Sequence, residues 1–235
     1  MMWFTIRALW WFGISLGAIA AEPYTAKYQM TWQVGVKLSA QATETLRVVD
    51  GIYTLELAAQ AAVGSATETT HLMRSEEGQW QPLDYTYTQT LLGRTETRSV
   101  RFNRNQGTVS ILHAPDQPEQ AIPEGALDPL GFRLVMTEQL TAGLLPESQT
   151  LPLLDGDTVT LRRIDRVSVE TLSLPIGEIK AIRFKLTHEP ERPDRQFHFW
   201  LAPSLQYQLV KLDKQDGKRR IALELVSYQA GTDAP

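Results

Sequence analysis

The chain contains no cysteine. Disulfide staples are therefore excluded, thiolate metal sites are excluded, and so is the acylated cysteine that anchors a bacterial lipoprotein. Histidine is also scarce, with four in 235 residues, and none of His71, His113, His188 and His198 has the i, i+4 spacing of a helical zinc site. Concentrated positive charge is missing too: 23 Lys+Arg stand against 27 Asp+Glu for a net charge of −4. A nucleic-acid partner calls for clustered cations. The densest cluster, Lys218-Arg219-Arg220, adjoins Asp213, Asp216 and Gly217 and reads as a solvated hairpin end. Long apolar stretches are absent except for Ala8 to Ala20, which is too short for a spanning helix of about 20 residues.

That stretch follows a short start carrying Arg7 and precedes Ala18-Ile19-Ala20, a small-x-small cleavage pattern. The order is that of a secretory signal peptide over residues 1–21, with cleavage expected near Ala21 or Glu22. Its removal leaves 22 basic against 27 acidic residues, because Arg7 is its only charge. The expected product is a soluble periplasmic protein, peripheral to the membrane at most, with one β-rich domain over residues 22–230 and a disordered tail at 231–235. Gly13-Ile14-Ser15-Leu16-Gly17 matches the nucleophile elbow of serine hydrolases, but it lies inside the apolar core of the leader, where the required strand and turn are missing.

Beyond the leader, period-two alternation dominates. Tyr28, Met30, Trp32, Val34, Val36 and Leu38 alternate with polar residues, which predicts one strand with a single buried face. Asp50-Gly51 marks a hairpin between Leu46/Val48 and Tyr53/Leu55/Leu57. Residues 63–70 read as a weakly paired strand, 80–88, 94–102 and 108–112 as a meander, and the proline-bearing stretch 114–125 as an extended connection. Asp128 caps a helix with Pro129 at its first position, and Leu130, Phe132, Leu134, Val135, Met136 and Leu140 supply its apolar side. Further strands follow at 158–169, 179–187, 196–201, 207–213 and 220–227. The predicted fold is mainly β: a single antiparallel barrel or strongly curved open half-barrel of about ten to twelve strands with one amphipathic helix at about 128–142.

No cofactor or metal is implied. Asp155-Gly156-Asp157 lacks the further acidic positions of a calcium loop and reads as a turn. His198 lies between Phe197 and Phe199 and points to the opposite sheet face. The strand aromatics Trp32, Tyr53, Tyr85, Tyr87 and Trp200, with Phe132 and Met136 from the helix, are the candidate lining of an apolar cavity. Phe197 and Phe199 belong to the same pattern, and ordinary core filling is the competing explanation.

Several segments, in order, resemble the exported bacterial domain of unknown function 3108 family. They are Tyr28-Gln29-Met30-Thr31-Trp32 with Gly35, Gly51-Ile52-Tyr53-Thr54-Leu55, Gly78-Gln79-Trp80-Gln81-Pro82 with Tyr85 and Tyr87, and Asp128-Pro129-Leu130. Glu170-Thr171-Leu172 with Pro175 and Gly177, Trp200-Leu201-Ala202-Pro203 and Asp216-Gly217 complete the set. Gln208 departs from it, standing where the family pattern has proline. The resemblance implies an exported β-rich protein and brings no catalytic residues. The tail from Trp200 through Tyr207 to Gly217 is more loosely similar to Lol-type periplasmic lipoprotein carriers, open barrels that hold acyl chains against an internal helix. The expected function is non-enzymatic binding of an apolar or amphipathic envelope molecule such as a lipid. An envelope interaction module with a protein partner is the alternative, and a carboxylate-dependent hydrolase a distant third.

Overall fold

A computed structural model describes residues 21–34 and 36–231; apart from Ala21 and Gly231, the expected leader and tail lie outside the described residues. The chain forms β1 (Tyr24–Val34), β2 (Val36–Val49), β3 (Ile52–Ala61), β4 (Gly64–Arg74), β5 (Trp80–Leu91), β6 (Arg94–Asn103), β7 (Thr108–Ile111) and the two-residue β8 (Gln120–Ala121). The helix α1 (Pro129–Thr141) interrupts the strands. Then come β9 (Ser148–Asp155), β10 (Thr158–Leu174), β11 (Gly177–His188), β12 (Arg195–Ala202), β13 (Gln208–Asp216) and β14 (Arg219–Ala230).

All 14 strands among the described residues belong to one antiparallel sheet, in which sequence neighbours pair from β1 to β8 and from β9 to β14. Pairing of β1 with β14 joins the two halves, so the free edges are β8 and β9, the strands that flank the helix in sequence. These edges do not pair, and the open alternative is the one adopted. The seam is nevertheless bridged, since Leu127 N–H donates to Pro152 O (3.2 Å) and Leu154 N–H to Leu127 O (2.9 Å). Leu154 also packs with Tyr85, Val100, Phe102, Val109 and Ile111 from the other half.

One strand boundary and two added strands separate the structure from the sequence reading, and the two additions, β8 and β9, raise the strand number above twelve. The single alternation over 28–38 is two strands, with Val34 paired to Val36 and Trp32 to Leu38. With one residue between the paired Val34 and Val36, the inward-facing positions keep the same parity on both strands, so the pattern runs on without a visible break. β8 lies within the expected connection, and β9 carries Pro152, admissible because it lies at the free edge of the sheet.

The helix begins where expected, but its apolar residues fall on two opposite sides rather than one. At 100° per residue, Leu130 and Leu134 point one way and Phe132, Met136 and Leu140 the other. The first pair packs on Leu46, Tyr53, Leu55, Leu72 and Trp80, and the second set on Leu153, Ile164, Ile182, Phe184, Phe199 and Leu201. α1 is thus clamped between the two halves of a curled sheet. The far end of the curl is filled by the tip of the β10–β11 hairpin, where Leu174 joins Ala26, Tyr28, Ala42, Leu223 and Leu225 and Ile176 N–H donates to Leu225 O (3.2 Å).

Candidate functional site

Three polar ties hold α1 against the sheet. At its start, Asp128 Oδ1 accepts from the backbone N–H of Leu130 (3.0 Å) and Gly131 (2.8 Å), while Oδ2 accepts from Thr70 Oγ1 (2.8 Å) on β4. Burial raises the Asp128 carboxyl to a pKa of about 6 even though these donors favour its ionised form. Toward the end of the helix, Glu138 accepts from Arg74 Nη2 (2.8 Å) and Trp80 Nε1 (2.5 Å). Between them, Arg133 donates to Glu44 on β2, a carboxylate that is 0% exposed.

Beside this central pair lies a hollow of about 270 Å3 between α1, the start of β1, β2 and the β12–β13 connection. Leu46, Leu134, Leu201, Pro203 and Leu209 give it apolar walls, and Tyr24, Glu44, Arg133 and Gln208 a polar floor. Glu44 Oε1 accepts from Tyr24 OH (2.7 Å) and Gln208 Nε2 (2.9 Å). Gln208 Nε2 also reaches Tyr28 OH (2.9 Å), which donates to Leu209 O (3.0 Å). Burial, and then the Glu44 charge, push the Tyr24 and Tyr28 phenols well above their ordinary value. Burial alone would lower the Arg133 guanidinium, but the Glu44, Tyr24 and Tyr28 charges outweigh it and hold it above its usual range. At the rim, Gln206 (φ 53°) and Tyr207 (φ 57°) occupy left-handed backbone, a strain of about 1–3 kcal/mol each that structured surroundings must sustain.

The arrangement is suited to holding a shape. Glu44 is engaged by three donors and Arg133 is tied to it, so the floor presents one compensated polar end to an apolar hollow. Sequence reading missed these floor residues. Signals existed: Glu44 shares the buried parity of Ala42 and Leu46, Arg133 interrupts the apolar residues of α1, and Gln208 was the one departure from the family pattern.

None of the seven aromatic and methionine candidates is among the residues that line this hollow. Tyr53 packs edge-on against Trp80 (centroids 4.7 Å), beside Leu130 and Leu134. Tyr85 lies in the seam cluster with its OH on Glu68 Oε1 (2.6 Å), and Tyr87 flanks it, donating to Gln89 Oε1 (2.7 Å). Phe132 and Met136 sit in the core under the helix, where Phe132 meets Phe199 edge-on (6.3 Å). Trp200 belongs to the cluster beneath the β10–β11 tip, and its Nε1 donates to Glu170 Oε2 (3.0 Å). Trp32 is buried at the register of Leu38 and Ile221. The histidines are dispersed: His71 contacts Asp84 (2.7 Å), His113 Asp157 (3.3 Å), His188 Arg195 (3.5 Å) and His198 Arg183 (3.5 Å). Asp155-Gly156-Asp157 forms the β9–β10 turn, with Gly156 at φ 66°.

The crystal structure of a β-barrel-like protein of domain of unknown function DUF1849 from Brucella abortus superposes with a TM-score of 0.60, covering 91% of this chain and 99% of that one at 12% identity. This likeness concerns the fold alone. A DUF1329 family protein from Desulfovibrio piger (9% identity, 93% and 89% covered) and a protein with YmcC-like fold from Bacteroides fragilis (10%, 89% and 96%) give TM-scores of 0.32 and 0.31. No curated protein matches the chain. The family model described as protein of unknown function (DUF3108) matches residues 27–223, nearly the whole described sheet and all of α1, and the chain therefore belongs to that family.

Proposed function

We propose that the protein is an exported, non-enzymatic binding protein that holds an apolar or amphipathic molecule of the lipid or acyl-chain kind between α1 and the curved sheet. The observation that carries this reading is the hollow itself, with leucine and proline walls and a compensated Glu44–Arg133 floor. Small-molecule sites are concave and mostly apolar, with a few convergent polar groups. At about 270 Å3 the hollow lies just below the usual range of roughly 300–1,000 Å3, which suits a single chain rather than a bulky lipid. The apolar part would lie along Leu46, Leu134, Leu201 and Leu209, and the polar end would meet Tyr24 and Arg133. Export rests on the leader pattern of residues 1–21.

The test is organic extraction of natively purified protein followed by lipid mass spectrometry, together with uptake of a fluorescent fatty acid. Co-purified lipid, and uptake at least tenfold weaker in Leu134→Trp, are the expected results. Absence of both lipid and uptake overturns the reading.

A second reading is favoured by one surface feature. Val49 (65% exposed), Ile52 (40%) and Met73 (39%) form a cross-strand row at the register Val49–Ile52–Met73 on the outer face of β2, β3 and β4. An exposed apolar row of this kind suits an envelope protein partner. Crosslinking in cells that recovers a partner lost in Ile52→Lys supports it, and recovery of monomer alone counts against it.

A further inference from the structure

The inner side of the sheet carries a second polar cluster at the opposite end from the hollow. β12 runs from Arg195 at one end to Ala202 next to the hollow's rim, and its eight residues separate the two by about 23 Å. Register places Arg162 on β10 opposite Leu151 on one side and His188 on the other, and Arg195 opposite Asp216. Arg162 therefore shares the face of Ile164, which lies in the core under α1.

Asp155 Oδ2 lies 2.7 Å from Arg162 Nη2 and 3.5 Å from Arg195 Nη1. Arg195 Nη1 is also 3.5 Å from His188 Nε2, and Arg195 Nε is 3.0 Å from Asp216 Oδ1. Arg162 is only 6% exposed, yet among the described residues its Nη1 has no hydrogen-bond partner, and neither has the buried Oγ1 of Thr160 two residues before it on the same strand face. Burial, with repulsion from Arg195 and Arg192, holds the Arg162 guanidinium below its ordinary value despite Asp155. Arg162 and Arg195 thus share Asp155, while Asp216 is held by Arg195. Of the acids in the β11–β12 connection, Glu189 pairs with Arg163 (2.9 Å) and Glu191 with Lys185 (3.0 Å).

A buried donor left without an acceptor keeps its desolvation penalty uncompensated, the more so when it is charged. An oxyanion can accept from a guanidinium N–H and a hydroxyl together and adds charge complementarity to both arginines. We propose that Arg162, Arg195, Thr160 and His188 form a binding site for a phosphate oxyanion at the β9–β12 end of the sheet, separate from the hollow beside α1. The phosphate enters from the half-exposed Arg195 and Asp216 side, displaces Asp155 from part of its contact with Arg195, and takes its deepest hydrogen bonds from Arg162 Nη1 and Thr160 Oγ1.

The test is calorimetric titration of the whole protein with inorganic phosphate, alongside flotation with phosphatidylcholine vesicles with and without phosphatidylglycerol. Saturable phosphate binding is expected, weakened at least tenfold in Arg162→Met and Arg195→Gln and several-fold in Thr160→Val, with Arg220→Gln unchanged. Arg220 serves as the control because it pairs with Asp213 on the exposed surface. Binding to phosphatidylglycerol vesicles with the same variant ranking and without free-phosphate binding also supports the site and makes its anion a lipid headgroup. Should Arg162→Met fail to fold, Thr160→Val and Arg195→Gln decide alone. Wild-type protein that binds neither probe, or variants that bind as well as wild type, overturn the proposal. So does a crystal structure in saturating phosphate in which one water bridges Arg162 Nη1 and Thr160 Oγ1.

Discussion

Asp128 fixes the helix at a measurable electrostatic cost. Its folded-state pKa of about 6 stands above the ordinary 3.8, raised chiefly by burial with a smaller contribution from the Glu68 charge. The folded state therefore binds the proton more tightly than the unfolded chain does. The stabilisation from this group is fully present below about pH 4 and is lost as pH rises through 6. At 1.36 kcal/mol per pKa unit, a shift of about two units amounts to about 3 kcal/mol. Asp128→Asn removes the titration while keeping an Oδ1 acceptor for the N–H groups of Leu130 and Gly131. The new amide would face Thr70 Oγ1, whose proton can turn fully to Asp84 O, 3.3 Å away. Urea unfolding of both proteins from pH 4 to 8 is the assay. Wild-type stability should fall relative to the variant by about 2 kcal/mol between pH 4 and 7. Contributions from Glu170 and Asp165, whose pKa values are lowered and whose stabilisation is lost as pH falls, are common to both and cancel in the difference. A difference that is flat with pH, or that rises, refutes the reasoning.

Removing one member of the Glu44–Arg133 pair should cost about 3–5 kcal/mol, since the other is left buried and uncompensated, whereas the double variant Glu44→Leu/Arg133→Met should regain most of it; a denaturant double-mutant cycle measures this, and additive losses would contradict it. The raised Tyr24 and Tyr28 phenols give stability that is present below about pH 10 and lost above it, so Tyr24→Phe should move the alkaline unfolding midpoint upward in a circular-dichroism titration. Gly131→Ala should destabilise by about 1–3 kcal/mol despite the better helix propensity of alanine, in thermal unfolding, because its Cβ would lie 2.7 Å from Asp128 Oδ2 and 2.9 Å from Leu72 Cδ2.

How much of this was legible in the chain depends on the range of the physics involved. Strand alternation, the Asp128-Pro129 helix start and the glycine turns at 51, 78, 107 and 217 act over a few residues, and each stands in the structure where the local chemistry places it. The split at Val34–Val36 leaves no break in the alternation because one residue separates the paired positions, and β9 carries Pro152, a residue that local propensity sets against a strand and that an edge position permits. The aromatic candidates were legible as buried residues but not as lining or filling, since that depends on which neighbours close over them. The sequence by itself determined a single curved antiparallel sheet with one inserted helix, because periodicity and capping are local. Only the tertiary structure decided that the polar floor comes from Glu44, Arg133 and Gln208, and that Arg162 meets Arg195 at the other end. Those partners lie tens of residues apart or more in the chain, and it takes strand pairing together with the curl of the sheet to bring their polar groups to shared hydrogen-bond partners.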